Sequence, residues 1–409
     1  MNRHFLLAPQ LLGISFFAFF SATAASAAGQ QASVVSKWNS VTLHEIVLNS
    51  SAPIKNARQF AIVNLSIYNA IEAVNQKHEL LGINVPPAPD ASAEAAAAAA
   101  GYVALTNLFP KNNETYLSTT YYNELARIAD GLAKTKGIAL GQEVAQQVLA
   151  SRRDDGADDS AKPFGDVKPF ALTTGFQFFV PPPPASNDPQ FSIDIHRLQS
   201  LGARDSKTRT REQTEIGLFW SNTTVGTYGS AGHLLHLAQV VTQQKKLSLA
   251  DESRLLTLLS MALSDSAVSS VYWKTLYKSQ RPAEIIRAGD AQANLIAQPD
   301  WQPLSPTGGL DYPSTLSTYA GATAAVLQEF FKTDKLRFTL DSISLPGVTR
   351  SYNSISGATT ESATSRIYSG YHTIAAIQSG HELLGPAIGS YVAKNFLKPK
   401  RPLPPLSSQ

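Results

Sequence analysis

No cysteine occurs among the 409 residues, so thiol catalysis, thiolate metal sites and disulfide cross-links are all excluded. Charge is also scarce. Charged residues make up 16% of the chain, and 34 lysines and arginines against 31 aspartates and glutamates leave a net charge of +3. That balance points to neither nucleic acid nor an anionic membrane surface as a partner, and any positive field must be local. A convincing alternation of β-branched residues is missing too, so little sheet is expected. Past the N-terminus, no stretch approaches a membrane-spanning length.

What is present begins with an export signal. Asn2-Arg3-His4 is a short basic start, Phe5 to Phe20 is mostly apolar, and Ala22 to Ala28 offers small-residue cleavage sites, Ala25-x-Ala27 fitting best. The apolar run is short and broken by Pro9, Gln10 and Gly13, which favours a cleaved signal peptide over residues 1–27 rather than an anchor. The expected location is periplasmic or extracellular. Hydrophobic residues make up 43% of the chain, and at this length a core can stabilise an exported protein without disulfides.

Helical periodicity dominates the rest. Phe60, Val63, Ile67, Ile71 and Val74 recur at steps of three and four between Arg58 and Val74. Glu94–Leu108 holds an alanine run, and helices are expected over Asn113–Lys136 and Leu140–Arg153, making residues 28–153 an N-terminal helical region. Residues 154–188 are acidic at first and then run through Pro181-Pro182-Pro183-Pro184, the composition of a surface loop or linker. The acidic run lacks the glycine and terminal glutamate of a calcium loop. A C-terminal helical domain is expected over 189–398, with helix from near Asp205 to Gln244 and a last helix over Tyr371–Phe396. A Pro-rich tail over 399–409 follows. Ser248 and Asp251 form a weak capping box opening a long helix faced by Leu255, Leu259, Leu263 and Ala267.

Three segments gather cations and hydroxyls beside structure breakers. In Lys274-x6-Arg281-Pro282 the two cations lie two helical turns apart, and Pro282 places Arg281 at a helix end. Asp311-Tyr312-Pro313-Ser314-Thr315-Leu316 precedes good helix formers, so a helix start with unpaired N–H groups and a hydroxyl makes an anion site, or else an ordinary N-cap. Ser365-Arg366-x3-Gly370-Tyr371-His372 opens the final helix, with Gly370 permitting a turn that aims Arg366 and His372 at one point.

In order and spacing these segments resemble the signature of the vanadium-dependent haloperoxidases and type 2 acid phosphatases (the phosphatidic acid phosphatase superfamily), closest to its bacterial chloroperoxidase-like branch. Asn64–Ile71, Arg209-Thr210-Arg211, Phe219-Trp220 and Asp265 add to the likeness across most of the mature chain. The resemblance implies an all-α fold, one or two helical bundles around a single oxyanion site. It implies that Lys274, Arg281, Ser314, Thr315 (through its N–H) and Arg366 hold the equatorial oxygens of vanadate, or of phosphate in the same site. His372 would be the catalytic residue and the apical ligand to the metal. Physically, bidentate arginines, a lysine and a helix start suit a tetrahedral anion, and a neutral imidazole suits a ligand or nucleophile.

The pattern also departs from the family. Leu316 stands where the family has its acid–base histidine, Thr315 replaces a glycine, and Ala376 stands where phosphatases carry an aspartate that orients the apical histidine. Val271 and Gly309 replace aromatics of the chloroperoxidases. Leucine moves no proton, and general acid–base assistance is typically worth ~10² to 10⁴ in rate.

Three readings therefore stand. The first is a vanadate-binding peroxidase that oxidises halide or an organic acceptor with hydrogen peroxide, with its acid–base step impaired or altered. The second is an acid phosphatase, and the third a non-catalytic oxyanion-binding or structural protein. A homo-oligomer is compatible with each. His233 and His236, three positions apart on an expected helix, have a metal-ligating spacing but no sequence partner to complete a site, and His381 sits among small residues that suggest helix packing.

Overall fold

The computed structural model describes residues 32–49, 53–110, 114–159, 164–224, 226–305 and 308–400. The proposed signal peptide lies outside them, as does the tail beyond residue 400. The described residues from Val34 onward cluster as one compact unit. Its helices are α1 (Val34–Asn49), α2 (Pro53–Asn75), α3 (Ala93–Leu108), α4 (Glu114–Ala126), α5 (Leu132–Ser151), α6 (Pro189–Gly202), α7 (Arg211–Phe219) and α8 (Gly229–Lys245). They continue as α9 (Leu249–Tyr277), α10 (Pro282–Ala288), α11 (Thr315–Phe331), α12 (Ile355–Tyr368), α13 (Ile374–Gln378) and α14 (Gly385–Asn395), with a π-helical turn Ser379–Leu384 before α14. The described strands are a single antiparallel hairpin, β1 (Phe338–Asp341) with β2 (Thr349–Tyr352). The fold is thus nearly all helical, as the periodicity predicts.

Helix α9 is the spine, packed against α2 and α11. Contrary to expectation, its segment is long and apolar enough to cross a membrane by length and composition, but 89% of the apolar window is buried inside the protein. Those apolar side chains are core. Ser248 caps it as predicted, accepting the Asp251 N–H. Where α2 crosses α9 the seam is polar: Asn64 Nδ2 donates to Asn39 Oδ1 and Ser260 Oγ, which satisfies groups that would be costly to bury alone.

Small residues set the closest helix pairs. The buried alanines of α3 lie so near α5 that a Cβ at Gly141 would sit 2.1 Å from the Ala96 carbonyl oxygen. Along α14 and its π turn, a Cβ at Gly380, Gly385 or Gly389 would sit 2.6, 2.3 or 2.4 Å from the carbonyls of Ser314, Thr318 and Ala322 respectively. The wider π turn spends five residues where α11 spends four, and so keeps the glycines in step with their partners. The start of α11 is fixed by this contact.

Several boundaries differ from expectation. A turn after Ala126 separates α4 from α5, which runs straight through Gly137. The helix expected from near Asp205 to Gln244 is two helices, α7 and α8, parted by the Trp220–Tyr228 segment. Ser365 and Arg366 end α12 rather than open the last helix, which starts at Ile374 with Thr373 as its cap.

Residues 154–188 differ most from a free linker. Asp155 is buried and pairs with Arg58 and Arg152 at 2.7 and 3.2 Å. Val167, Ala171, Leu172 and Val180 are buried as well. One group per turn of α9 grips the passing backbone. The Asp265 carboxylate accepts the N–H groups of Phe170, Ala171 and Leu172 at 2.7, 2.8 and 2.9 Å. Ser269 Oγ donates to Gly175 O, Trp273 Nε1 to Phe178 O and Tyr277 OH to Val180 O. Buried backbone needs such partners, and composition alone does not show where they are.

Candidate active site

Lys274 lies in the last turn of α9, which ends at Tyr277, with Lys278 in the left-handed region (φ 51°). Arg281 is therefore not on the same helix. It is the N-cap of α10, in extended backbone before Pro282 (ψ 150°), as the proline predicts. Trp220 positions the third cation: its carbonyl accepts Arg366 Nη2 at 2.7 Å, while its own Nε1 donates to Glu361 at 3.0 Å. Ser365 Oγ holds the same guanidinium at Nε and Nη2. Arg209 ties the ends of α6 and α12 together through the Leu201, Ala203 and Tyr368 carbonyls. The middle motifs of the sequence are thus the scaffold of Arg366.

Gly370 (φ 69°) makes the predicted turn and brings His372 back onto Arg281. Nη1 of Arg281 lies 2.8 Å from His372 Nε2 and 3.0 Å from Nδ1. The remaining guanidinium donors reach backbone carbonyls, Nε to Gly309, Nη1 to Tyr371 and Nη2 to Gly308. Lys274 Nζ donates to the Leu310 and Asp311 carbonyls at 2.9 and 2.7 Å. The side-chain hydrogen bonds of all three thus go to neutral acceptors, and Arg281 also pairs with the Asp311 carboxylate at 3.8 Å.

Ser314 caps α11 through the Ser317 N–H, and its own N–H donates to Ala376 O at 2.9 Å. The Thr315 and Leu316 N–H groups belong to the first turn and have no carbonyl partner within the helix. Leu316 itself is buried and offers no proton.

Asp311 is the residue that sequence reasoning missed. Its Oδ1 lies 2.8 Å from His372 Nδ1 and 3.8 Å from Arg281 Nη1, and its Oδ2 accepts the Thr373 hydroxyl at 2.6 Å. The partner lost at Ala376 is thus supplied from the segment before Pro313. A signal was available, an acidic residue three positions before Ser314, but no spacing rule links it to residue 372. The carboxylate accepts the Nδ1 proton, which leaves Nε2 as the lone-pair nitrogen.

Electrostatics favours an anion here. Arg281, Arg366, His372 and Asp311 are buried, and Lys274 is half-buried with its ammonium end inward. Burial, then Arg281, lowers the Lys274 ammonium well below its ordinary value, with Asp311 opposing. Burial and Arg281 likewise push His372 well down, so the imidazole is neutral. Burial brings Arg366 down to about 10. Burial pushes Asp311 up, but His372, Arg281 and Lys274 together hold its carboxyl below the ordinary range. Two guanidiniums and the Lys274 amine face one buried carboxylate, so a bound anion would offset charge that the protein leaves uncompensated.

The other histidines stand apart. His233 Nε2 donates to the Asp341 carbonyl at 3.0 Å and its Nδ1 meets Asn222 at 2.8 Å, while His236 pairs with the Asp341 carboxylate at 2.7 Å. Burial lowers His233 to about 3. Among the described residues, no group of three or more His, Asp or Glu could hold a metal ion.

Residues 254–400 match the family model described as the VCPO second helical-bundle domain. Among solved structures, the chain resembles the first bacterial vanadium-dependent iodoperoxidase at a TM-score of 0.77 and 20% identity, over 89% of this chain and 97% of that one. It also resembles a holo-type bacterial vanadium-dependent chloroperoxidase at a TM-score of 0.67 and 14% identity, over 84% and 92%. The apo-type chloroperoxidase follows at 0.66 and 13%, over 82% and 92%. No curated protein matches the chain.

Proposed function

From a chain with the vanadium haloperoxidase-like fold, we propose an exported protein that binds vanadate at His372 and uses hydrogen peroxide to oxidise a halide or small organic acceptor. The observation that carries this reading is the surplus of positive charge around a neutral, oriented imidazole. Export rests on the N-terminal sequence. The donor set fits a tetrahedral oxyanion in charge and chemistry: two guanidiniums, an ammonium and the first turn of α11.

Lys274, Arg281 and Arg366 would hold the oxygens of the anion, with the Ser314 hydroxyl and the Thr315 N–H. Binding exchanges neutral carbonyl acceptors for charged oxygens, and charge-assisted hydrogen bonds are about twice as strong as neutral ones. Asp311 keeps the Nδ1 proton in place, so His372 presents Nε2. When bound, vanadate supplies an electrophilic centre that activates peroxide. Leu316 leaves no proton carrier at its position, which also favours a second reading, a non-catalytic oxyanion-binding protein on the same pocket. Phosphatase chemistry is weaker, because its leaving group needs the acid that Leu316 lacks.

Iodide, bromide and chloride oxidation by peroxide, with and without orthovanadate, tests the enzyme reading. Vanadate-dependent turnover that disappears in His372→Ala is expected. Vanadate binding without turnover would replace this reading with the non-catalytic one.

A further inference from the structure

Among the described residues, Arg366 Nη1 donates to no protein acceptor, although the residue is only 1% exposed. The rest of that guanidinium is committed. Nε and Nη2 reach Ser365 Oγ at 3.1 and 3.0 Å, and Nη2 also reaches Trp220 O at 2.7 Å. Because the guanidinium is a rigid planar fork, these two acceptors set where Nη1 points, and Nη1 is the donor left for an anion. The Tyr371 ring lies 5.5 Å from the Arg366 guanidinium carbon and 4.8 Å from that of Arg281, so both arginines border one pocket.

Ser365 adjoins Arg366 in the chain, but Trp220 comes from the segment after α7 and needs its own support. Its indole reaches Glu361, five positions before Arg366 on α12. Trp220 thus grips α12 twice, by its carbonyl at Arg366 and by its Nε1 at Glu361. Glu361 Oε1 accepts Trp220 Nε1 at 3.0 Å, Arg350 Nε at 2.7 Å and Tyr352 OH at 2.6 Å, while Oε2 accepts Arg350 Nη2 at 2.8 Å. Arg350 and Tyr352 belong to β2, so the hairpin pins the carboxylate through a bidentate pair and a hydroxyl. Arg350 also reaches Glu215 and Glu212 of α7 at 2.8 and 2.5 Å. The His233 ring lies 4.5 Å from the indole, tilted by 34°, and is itself held by Asn222 and the Asp341 carbonyl.

We propose that Glu361 is a positioning residue for the oxyanion: it fixes the Trp220 indole and, through the Trp220 carbonyl, aims Arg366 at the anion. This role rests on the oxyanion-site reading above. An ion pair serving stability alone would need Arg350 and nothing more. The indole bond adds a path of two hydrogen bonds from the hairpin to the buried arginine. Without the carboxylate, the buried indole N–H loses its acceptor, and a ring that shifts to find another takes its carbonyl with it.

The test is calorimetric titration of the mature protein with inorganic phosphate and with orthovanadate. Glu361→Ala and Trp220→Phe should each bind both anions about tenfold more weakly, at the low end of the usual cost of removing an outer partner. The double variant should lose no more than either single one, because both remove the same bond. Glu361→Gln keeps an acceptor for the indole and should recover most of the affinity. Glu215→Gln loosens Arg350 without touching Trp220 and should bind as wild type does. In wild type, the indole N–H resonance that Trp220→Phe lacks should shift when phosphate binds, a response that a purely structural bond would not give. Should Glu361→Ala fail to fold, Trp220→Phe and Glu361→Gln carry the comparison. Equal affinities in wild type and a folded Trp220→Phe would overturn the positioning role and leave the oxyanion site standing. Additive losses in the double variant, or an equal loss in Glu215→Gln, would overturn it as well. Wild type binding neither anion would overturn the site and this inference together.

Discussion

His372 Nδ1 lies 2.8 Å from Asp311 Oδ1, and that pairing joins the segment before Pro313 to the turn after α12. The carboxylate decides which nitrogen carries the proton. Asp311→Asn can present its amide N–H to Nδ1 and so favour the opposite tautomer. Vanadate or phosphate affinity should fall by about 10- to 100-fold, the usual cost of removing such an outer partner. Unchanged affinity in a folded Asp311→Asn protein would show that the tautomer does not matter.

Anion binding should take up protons. In the free protein burial and Arg281 hold Lys274 well below its ordinary value, so the free state binds fewer protons there than an anion-loaded state would. A bound oxyanion favours the charged ammonium and reverses the shift. Affinity therefore declines as pH rises, because the proton must be recovered from an ever more dilute pool. Calorimetry in buffers of differing ionisation enthalpy would show net uptake at alkaline pH in wild type, and less in Lys274→Met.

Leu316 is buried at the first turn of α11, beside the predicted anion donors. Placing a proton carrier there with Leu316→His and Thr315→Gly should raise vanadate-dependent turnover by ~10² to 10⁴ if the missing step limits the rate. Turnover appearing only in the double variant would identify a decayed enzyme. No gain at preserved vanadate affinity would show that proton transfer is already supplied.

Asp265 tests how firmly the 165–181 segment is bound to α9. Burial raises its carboxyl to about 6, with the three backbone N–H donors opposing. The folded value is above the unfolded one, so the group's favourable contribution is complete below about pH 4 and is lost as pH rises to about 6. The change is roughly 2 units, or about 3 kcal/mol. Denaturant titrations of wild type and Asp265→Asn should therefore show a stability difference that shrinks from pH 4 to pH 7. A pH-independent difference would contradict this assignment.

Much of the site was legible because its parts are local. Pro282 fixes Arg281 at a helix start, Ser314 caps α11, and Gly370 makes the turn before His372, each through chemistry read from adjacent residues. Asp311 was not legible, because its partner lies 61 positions away and only the fold brings the two together. The 154–188 segment was misread for the opposite reason. Acidic residues and prolines resemble a linker, yet Asp155, Asp265 and Tyr277 give its backbone and charges buried partners that composition does not reveal. The helical hydrophobic period located α2 and α9 well, but loop chemistry alone could not separate α7 from α8.

Orthovanadate binding by calorimetry, on the mature protein and on His372→Ala, tests the central claim most directly. The account predicts tight binding by wild type that is lost or greatly weakened in the variant, with both proteins folded. Absence of binding to the folded wild type, or equal binding by His372→Ala, would contradict it.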